Sequence, residues 1–148
     1  METVHTVWEY YDGARIGVAD YCGQPHYYVC VWDEVADDYS SIFALSSIDS
    51  DTLAWALEQW AIWRRWEIAF HSGQAVAESH PCIRGQDRRY DELQDLLQPR
   101  LDSLPTARIF ARARFEPIPD ETLPHGVFRR LLVEWSDASG PESASGAA

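Results

Sequence analysis

The segment from Trp60 to His71 concentrates the side chains of this sequence that could do chemistry. On a helix that turns about 100° per residue, Glu67 and His71 lie one turn apart, in the same arc as Trp60 and Trp63, and Arg64 borders that arc. A charge among apolar rings needs a partner. The pattern therefore predicts one of two arrangements. Either the five side chains bind a polar ligand in a Trp-lined pocket, or Glu67 accepts hydrogen bonds from His71 or from an arginine of a neighbouring strand in a purely structural set.

Metal binding is the other chemistry to consider. Four-residue spacing would align Glu67 and His71 as two ligands, but the sequence shows no second ligand pair beside them. Cys22, His26 and Cys30 also follow one another at four-residue intervals, whereas zinc ligands come in pairs about two to four residues apart in tight turns, with a fourth ligand nearby. We therefore expect no metal and no cofactor, and the cysteines are expected to be free thiols.

A second charged set lies on a predicted strand near the end of the chain. Alternation over residues 108–115 places Arg108, Arg112 and Arg114 on one face. Three guanidinium groups on one face could bind an anion. They could equally pair with carboxylates of an adjacent strand, such as Glu9 or Asp20, and the acidity of the N-terminal third favours this pairing.

The third set is an acidic connection that contains Asp33, Glu34, Asp37 and Asp38. Such a run is usually just solvated, and this one lacks the glycine and the terminal acid of an EF-hand loop. As a recognition patch it suits a basic protein partner, because complementary charge raises association rates.

The charge of the whole chain limits its partners. The net charge is −12, all 12 basic residues are arginine, and residues 1–51 hold ten acids and one arginine. Such acidity argues against nucleic acid and anionic membranes as partners and permits a basic protein. No apolar run approaches the roughly 20 residues of a membrane helix, and the N-terminus lacks the features of a signal peptide. We expect a soluble cytoplasmic protein, with a homodimer interface if one apolar side of the Trp-rich helix stays uncovered.

The elements that must position these residues follow an α+β pattern. Turn signals at Asp12-Gly13 and Gly23-Gln24-Pro25 separate strands with β-branched and aromatic residues. The prediction is an antiparallel sheet of five or six strands with two helices packed on one face, in the order β-β-β-β-α-α-β-β. Residues 1–138 form a single domain and residues 139–148 a disordered tail. The predicted strands are 5–11, 16–21, 26–32, 39–45, 108–115 and 127–135, and the predicted helices are 52–71 and 87–97, the second ended by Pro99.

Known catalytic motifs are missing from the sequence: it contains no phosphate-binding glycine loop, no nucleophile elbow and no His-Glu-x-x-His. This favours a non-catalytic binding protein, for example an acidic inhibitor or immunity-type protein that masks a basic surface on its partner. The alternative is a small-molecule-binding domain or small enzyme that uses Glu67 and His71 in the Trp-lined pocket.

Overall fold

The computed structural model describes residues 1–138, so the predicted disordered tail at 139–148 lies outside the described residues. Its elements are β1 Glu2–Tyr10, β2 Ala14–Tyr21, β3 Gln24–Asp33, β4 Asp38–Ser47, α1 Ser50–His71, a 3₁₀ helix Ala77–Ser79, α2 Arg88–Asp102, β5 Ile109–Pro117 and β6 Leu131–Asp137. They divide into two compact units, each described by itself below. Among the described residues, the barrel unit comprises 1–48, 104–116 and 131–138, and the helical unit comprises 49–103 and 117–130. The single-domain assignment stays a prediction.

The six strands form an antiparallel sheet that closes on itself in sequence order, β1 pairing with β6. The α+β class, the two α-helices and a six-strand antiparallel sheet are confirmed. The closure of this sheet into a barrel was not predicted, and the packing of both helices on one face of the sheet stays a prediction. The 3₁₀ helix is also an addition to the predicted element order. Register shifts interrupt the β1–β2 pairing at three points and the β3–β4 pairing between Cys30 and Trp32. Such bulges bend strands and increase their twist, which lets a sheet curl and close.

Aromatic rings fill the inside of the barrel unit. Tyr28, Phe43, Phe115 and Trp135 contact one another with ring centroids 5.7–6.3 Å apart. Burial raises the pKa of Tyr28, so its hydroxyl stays protonated and donates to the carbonyl oxygen of Thr6 at 2.9 Å. These four aromatic side chains thus form the core that holds the strands in position.

A glycine makes this core possible. A β-carbon built at Gly17 would lie 2.6 Å from the Tyr28 hydroxyl oxygen and closer still to the Thr6 carbonyl oxygen. Only a residue without a side chain lets β1, β2 and the Tyr28 ring approach so closely.

The helical unit is built on two capped helices. Asp49 caps the N-terminus of α1, and its carboxylate accepts from the Thr52 amide at 2.8 Å and from the Thr52 hydroxyl at 2.7 Å. These hydrogen bonds hold the pKa of Asp49 below its usual value. α1 contacts α2 through a Gln59–Gln94 hydrogen bond of 2.8 Å. Within residues 1–138, no helix combines the length and apolar character needed to cross a membrane.

The two largest differences from the predicted boundaries lie at the end of α2 and at the start of β6. α2 continues through Pro99 to Asp102, so the prediction that Pro99 ends this helix is wrong. A proline in the final turn removes only one helical hydrogen bond, so the helix can continue for a few residues beyond it. The last strand begins at Leu131 rather than Val127, because the Val127 amide bonds back to the Pro124 carbonyl in a turn.

Candidate functional site

In the helical unit, each carboxylate oxygen of Glu67 accepts a hydrogen bond. Glu67 is only 6% exposed. Its Oε1 accepts from Arg64 Nη1 at 2.6 Å, and its Oε2 accepts from the Phe128 amide at 3.0 Å. Arg64 Nη1 also donates to the Phe128 carbonyl oxygen. The set therefore fastens α1 to residues 117–130 of the same unit, with an arginine of the same helix as the partner instead of His71 or a strand arginine.

The rest of the predicted pocket does not converge on Glu67. Trp60 and Trp63 stack on each other, with ring centroids 4.8 Å apart. His71 is exposed at the end of α1 and lies over Gly126, where a β-carbon would come within 2.9 Å of its Nδ1. These contacts give the cluster a structural role, and its ligand-binding role stays a prediction.

The predicted arginine face lies on β5 of the barrel unit. Arg114 pairs with Glu116 at 3.1 Å and with Glu134 of β6 at 3.4 Å. Arg112 donates to the Asp137 carbonyl oxygen at 3.0 Å. Arg108 is exposed just before β5. Carboxylates thus do accompany this face, but they belong to β5 and β6 rather than being Glu9 or Asp20, and binding of an anion stays a prediction.

The predicted acidic patch forms the turn between β3 and β4. Asp33 Oδ1 accepts from the amides of Val35 and Ala36 at 3.0 and 3.2 Å, and Asp38 Oδ1 accepts from the Tyr39 amide at 2.7 Å. No arginine or histidine within residues 1–138 forms an ion pair with Asp33, Glu34, Asp37 or Asp38. The turn is held by local hydrogen bonds, and none of its four carboxylates is ion-paired within the described residues.

The structure joins part of this acidic turn to residues that the sequence did not single out. A cleft of about 700 Å³ opens at this end of the barrel unit, which we call the turn cleft. It is lined by Glu9, Tyr11, Asp12, Arg15, Trp32, Asp37, Asp38 and Tyr39. Glu9, Tyr11, Asp12 and Arg15 come from the β1–β2 turn and the strands beside it, whereas Trp32 and Tyr39 come from β3 and β4 beside the acidic turn. In an antiparallel meander the first and third turns lie at the same end of the sheet, so the proximity of the β1–β2 and β3–β4 turns could have been predicted from the strand order.

The turn cleft has an ordered polar interior. The Arg15 guanidinium stacks over the Tyr39 ring at 4.6 Å from its centroid. The same guanidinium donates to the carbonyl oxygens of Tyr11 at 2.7 Å and Asp12 at 3.2 Å. The Tyr39 hydroxyl donates to Glu9 at 2.7 Å, and this hydrogen bond raises the pKa of Tyr39. Arg15 is therefore fixed by the chain itself and neutralises only part of the surrounding negative charge.

The cysteine beside the turn cleft is not an activated nucleophile. Cys30, which lies 3.5 Å from Arg15, is buried, and burial raises the pKa of its thiol, so the thiolate that a nucleophile requires is disfavoured. Within residues 1–138 no group of three or more histidine, cysteine, aspartate or glutamate side chains is arranged to hold a metal ion. What the turn cleft presents outward is aromatic rings and carboxylates.

Comparisons of the chain with protein-family models, with curated proteins and with solved structures gave no match to any of them.

Proposed function

We propose that this chain is a non-catalytic binding protein that covers a basic surface of a protein partner with the turn-cleft end of its barrel unit. The observation that carries the proposal is the exposure of large apolar side chains beside unneutralised carboxylates: Tyr11 is 65% exposed, Trp32 47% and Val35 99%. Exposed apolar patches mark interaction sites, and Trp and Tyr are enriched among residues that dominate binding energy.

Charge supports a basic partner over an acidic or neutral one. The turn cleft is lined by four carboxylates, those of Glu9, Asp12, Asp37 and Asp38, against the single guanidinium of Arg15. A partner that brings arginine or lysine side chains would gain attraction at long range and faster association. The protein would act by masking that basic surface, as an acidic inhibitor or immunity-type protein does.

The geometry also favours a protein partner over a small metabolite. The acidic turn continues outside the cleft through Asp33 and Glu34, which are exposed and do not line it. Acidic groups inside and outside the cleft together present a surface larger than one small molecule would cover. By contrast, Glu67 is buried and both of its carboxylate oxygens already accept hydrogen bonds from Arg64 and the Phe128 amide. The small-molecule alternative therefore gains no support.

The test is affinity capture from the native cell with three forms of the tagged chain. One is wild type, one carries Asp33→Asn, Glu34→Gln, Asp37→Asn and Asp38→Asn, and one neutralises four exposed carboxylates outside this surface, at Asp51, Glu78, Asp102 and Glu121. The asparagines keep the acceptor oxygens that hold the turn and tolerate the positive φ of Asp37.

We expect wild type and the control to retain the same basic protein and the turn variant to lose it. Since the two variants have equal net charge, the difference isolates the surface from general acidity. Retention of that protein by the turn variant, or capture of partners that are not basic, would contradict the proposal.

A further inference from the structure

We infer that the turn cleft receives an arginine side chain of the partner, and that it selects arginine over lysine. This inference rests on the proposed function, because it specifies the chemistry of the basic surface that the chain covers. The observation that supports it is the guanidinium of Arg15, which already lies over an aromatic ring in the turn cleft.

Arg15 shows that the rings of the turn cleft accept a planar cation. Its guanidinium lies 4.6 Å from the centroid of the Tyr39 ring, within the distance at which cation–π attraction operates. The Trp32 ring stands nearly perpendicular to Tyr39, at 81° and 5.2 Å between centroids. Because Trp32 is about half exposed and Tyr11 is 65% exposed, they leave aromatic surface for a second cation beside the one that Arg15 occupies.

Carboxylates stand beside these rings with acceptor capacity to spare. Asp37 accepts no hydrogen bond through its side chain from residues 1–138, and Asp38 uses Oδ1 for the Tyr39 amide and keeps Oδ2. A carboxylate with both oxygens available matches the two parallel N–H groups of a guanidinium. The cleft volume of about 700 Å³ falls within the range of ligand pockets, roughly 300–1,000 Å³.

The combination of stacking surface and carboxylate favours arginine. A guanidinium is planar and weakly hydrated. It can therefore stack its face on an aromatic ring while its N–H groups, which point outward in its own plane, bond a carboxylate. A lysine ammonium is a compact and strongly hydrated charge that cannot make both contacts in this way. Acidity alone would attract either residue equally, so a preference for arginine reports the aromatic surface.

The experiment compares fluorescein-labelled deca-arginine and deca-lysine peptides by fluorescence anisotropy, at an ionic strength near physiological, against three forms of the full chain. These are wild type, Trp32→Leu, and Phe110→Leu as the control, since Phe110 is an equally exposed aromatic residue of the barrel unit that does not line the turn cleft. Thermal melts establish that all three are folded, which is expected because both substituted side chains are half-exposed.

We expect deca-arginine to bind wild type and Phe110→Leu about tenfold more tightly than deca-lysine, and the preference to vanish in Trp32→Leu. Equal binding of the two peptides to wild type would overturn the inference and leave the proposed function standing. An arginine preference that survives in Trp32→Leu would also overturn it. Binding of neither peptide would overturn the inference and the proposed function together.

Discussion

Replacing Glu67 by glutamine tests whether the buried Arg64–Glu67 ion pair of the helical unit has a structural role. Glutamine keeps the shape and one acceptor oxygen but turns the other oxygen into an amide that donates. The new amide must then face Arg64 Nη1 or the Phe128 amide, both of which are donors. One of the two hydrogen bonds is lost, and Arg64 stays behind without its counter-charge.

The magnitude follows from the burial of the pair. The side chains of Arg64 and Glu67 are 14% and 8% exposed, so water cannot replace the lost bond. A hydrogen bond to a charged group contributes about 1.5–3 kcal/mol, and removing one partner of a buried ion pair costs about 3–5 kcal/mol. Because glutamine keeps one bond, we expect Glu67→Gln to lower the free energy of unfolding by about 2–3 kcal/mol.

The assay is urea denaturation followed by far-UV circular dichroism near neutral pH. The matched control is Glu58→Gln, the same chemical change in the same helix, at a half-exposed carboxylate paired with Arg89. This control should have a much smaller effect because water screens exposed ion pairs. A Glu67→Gln protein as stable as wild type, or more stable, would refute the structural reasoning and restore the hypothesis of an open pocket at Glu67.

Three further predictions concern packing and proton equilibria. Gly17→Ala should lower the free energy of unfolding by about 1–3 kcal/mol in urea denaturation, because its β-carbon overlaps the Thr6 carbonyl oxygen; an unchanged midpoint would contradict this. Because the pKa of Asp49 is lowered in the folded protein, the ionised carboxylate stabilises the fold at pH values above its ordinary pKa of about 3.9. This contribution is lost as the pH falls through the lowered pKa. The stability difference between wild type and Asp49→Ala should therefore shrink in urea titrations at acidic pH, and a difference independent of pH would be inconsistent with it. Glu9→Gln should bring the raised pKa of Tyr39 back towards about 10, as read from the NMR shift of its ring carbon bonded to oxygen. An unchanged pKa of Tyr39 in this variant would contradict the role of the Glu9 carboxylate.

Local patterns predicted most of the elements. The turn signal Asp12-Gly13 separates β1 from β2, and both residues have positive φ. The uninterrupted Ala, Leu, Trp, Glu and Arg content after Asp51 predicted α1 to within two residues at its start. Barrel closure could not be predicted in the same way, because it depends on bulges whose positions no alternation of residue types reveals. The continuation of α2 past Pro99 shows a local rule overridden near a helix end.

The candidate site was predicted only in part. Asp37 and Asp38 could be chosen from charge alone, but four of their neighbours in the turn cleft come from β1, β2 and the turn between them, which are distant in sequence. Trp32 was predicted only as the last residue of a strand, and its half-exposed side chain in the turn cleft was not. For Glu67, the helical periodicity correctly placed a charge in an apolar arc. Only the structure shows that Arg64 and the Phe128 amide donate the hydrogen bonds that its carboxylate accepts.

The central claim is that the turn-cleft end of the barrel unit is the surface that binds cationic side chains. The most direct measurement is a titration of the ¹⁵N-labelled chain with the deca-arginine peptide, followed by two-dimensional NMR. We expect the largest amide shifts in residues 9–15 and 32–39, together with the Trp32 indole. Largest shifts elsewhere in the chain, with these two segments unperturbed, would contradict the central claim.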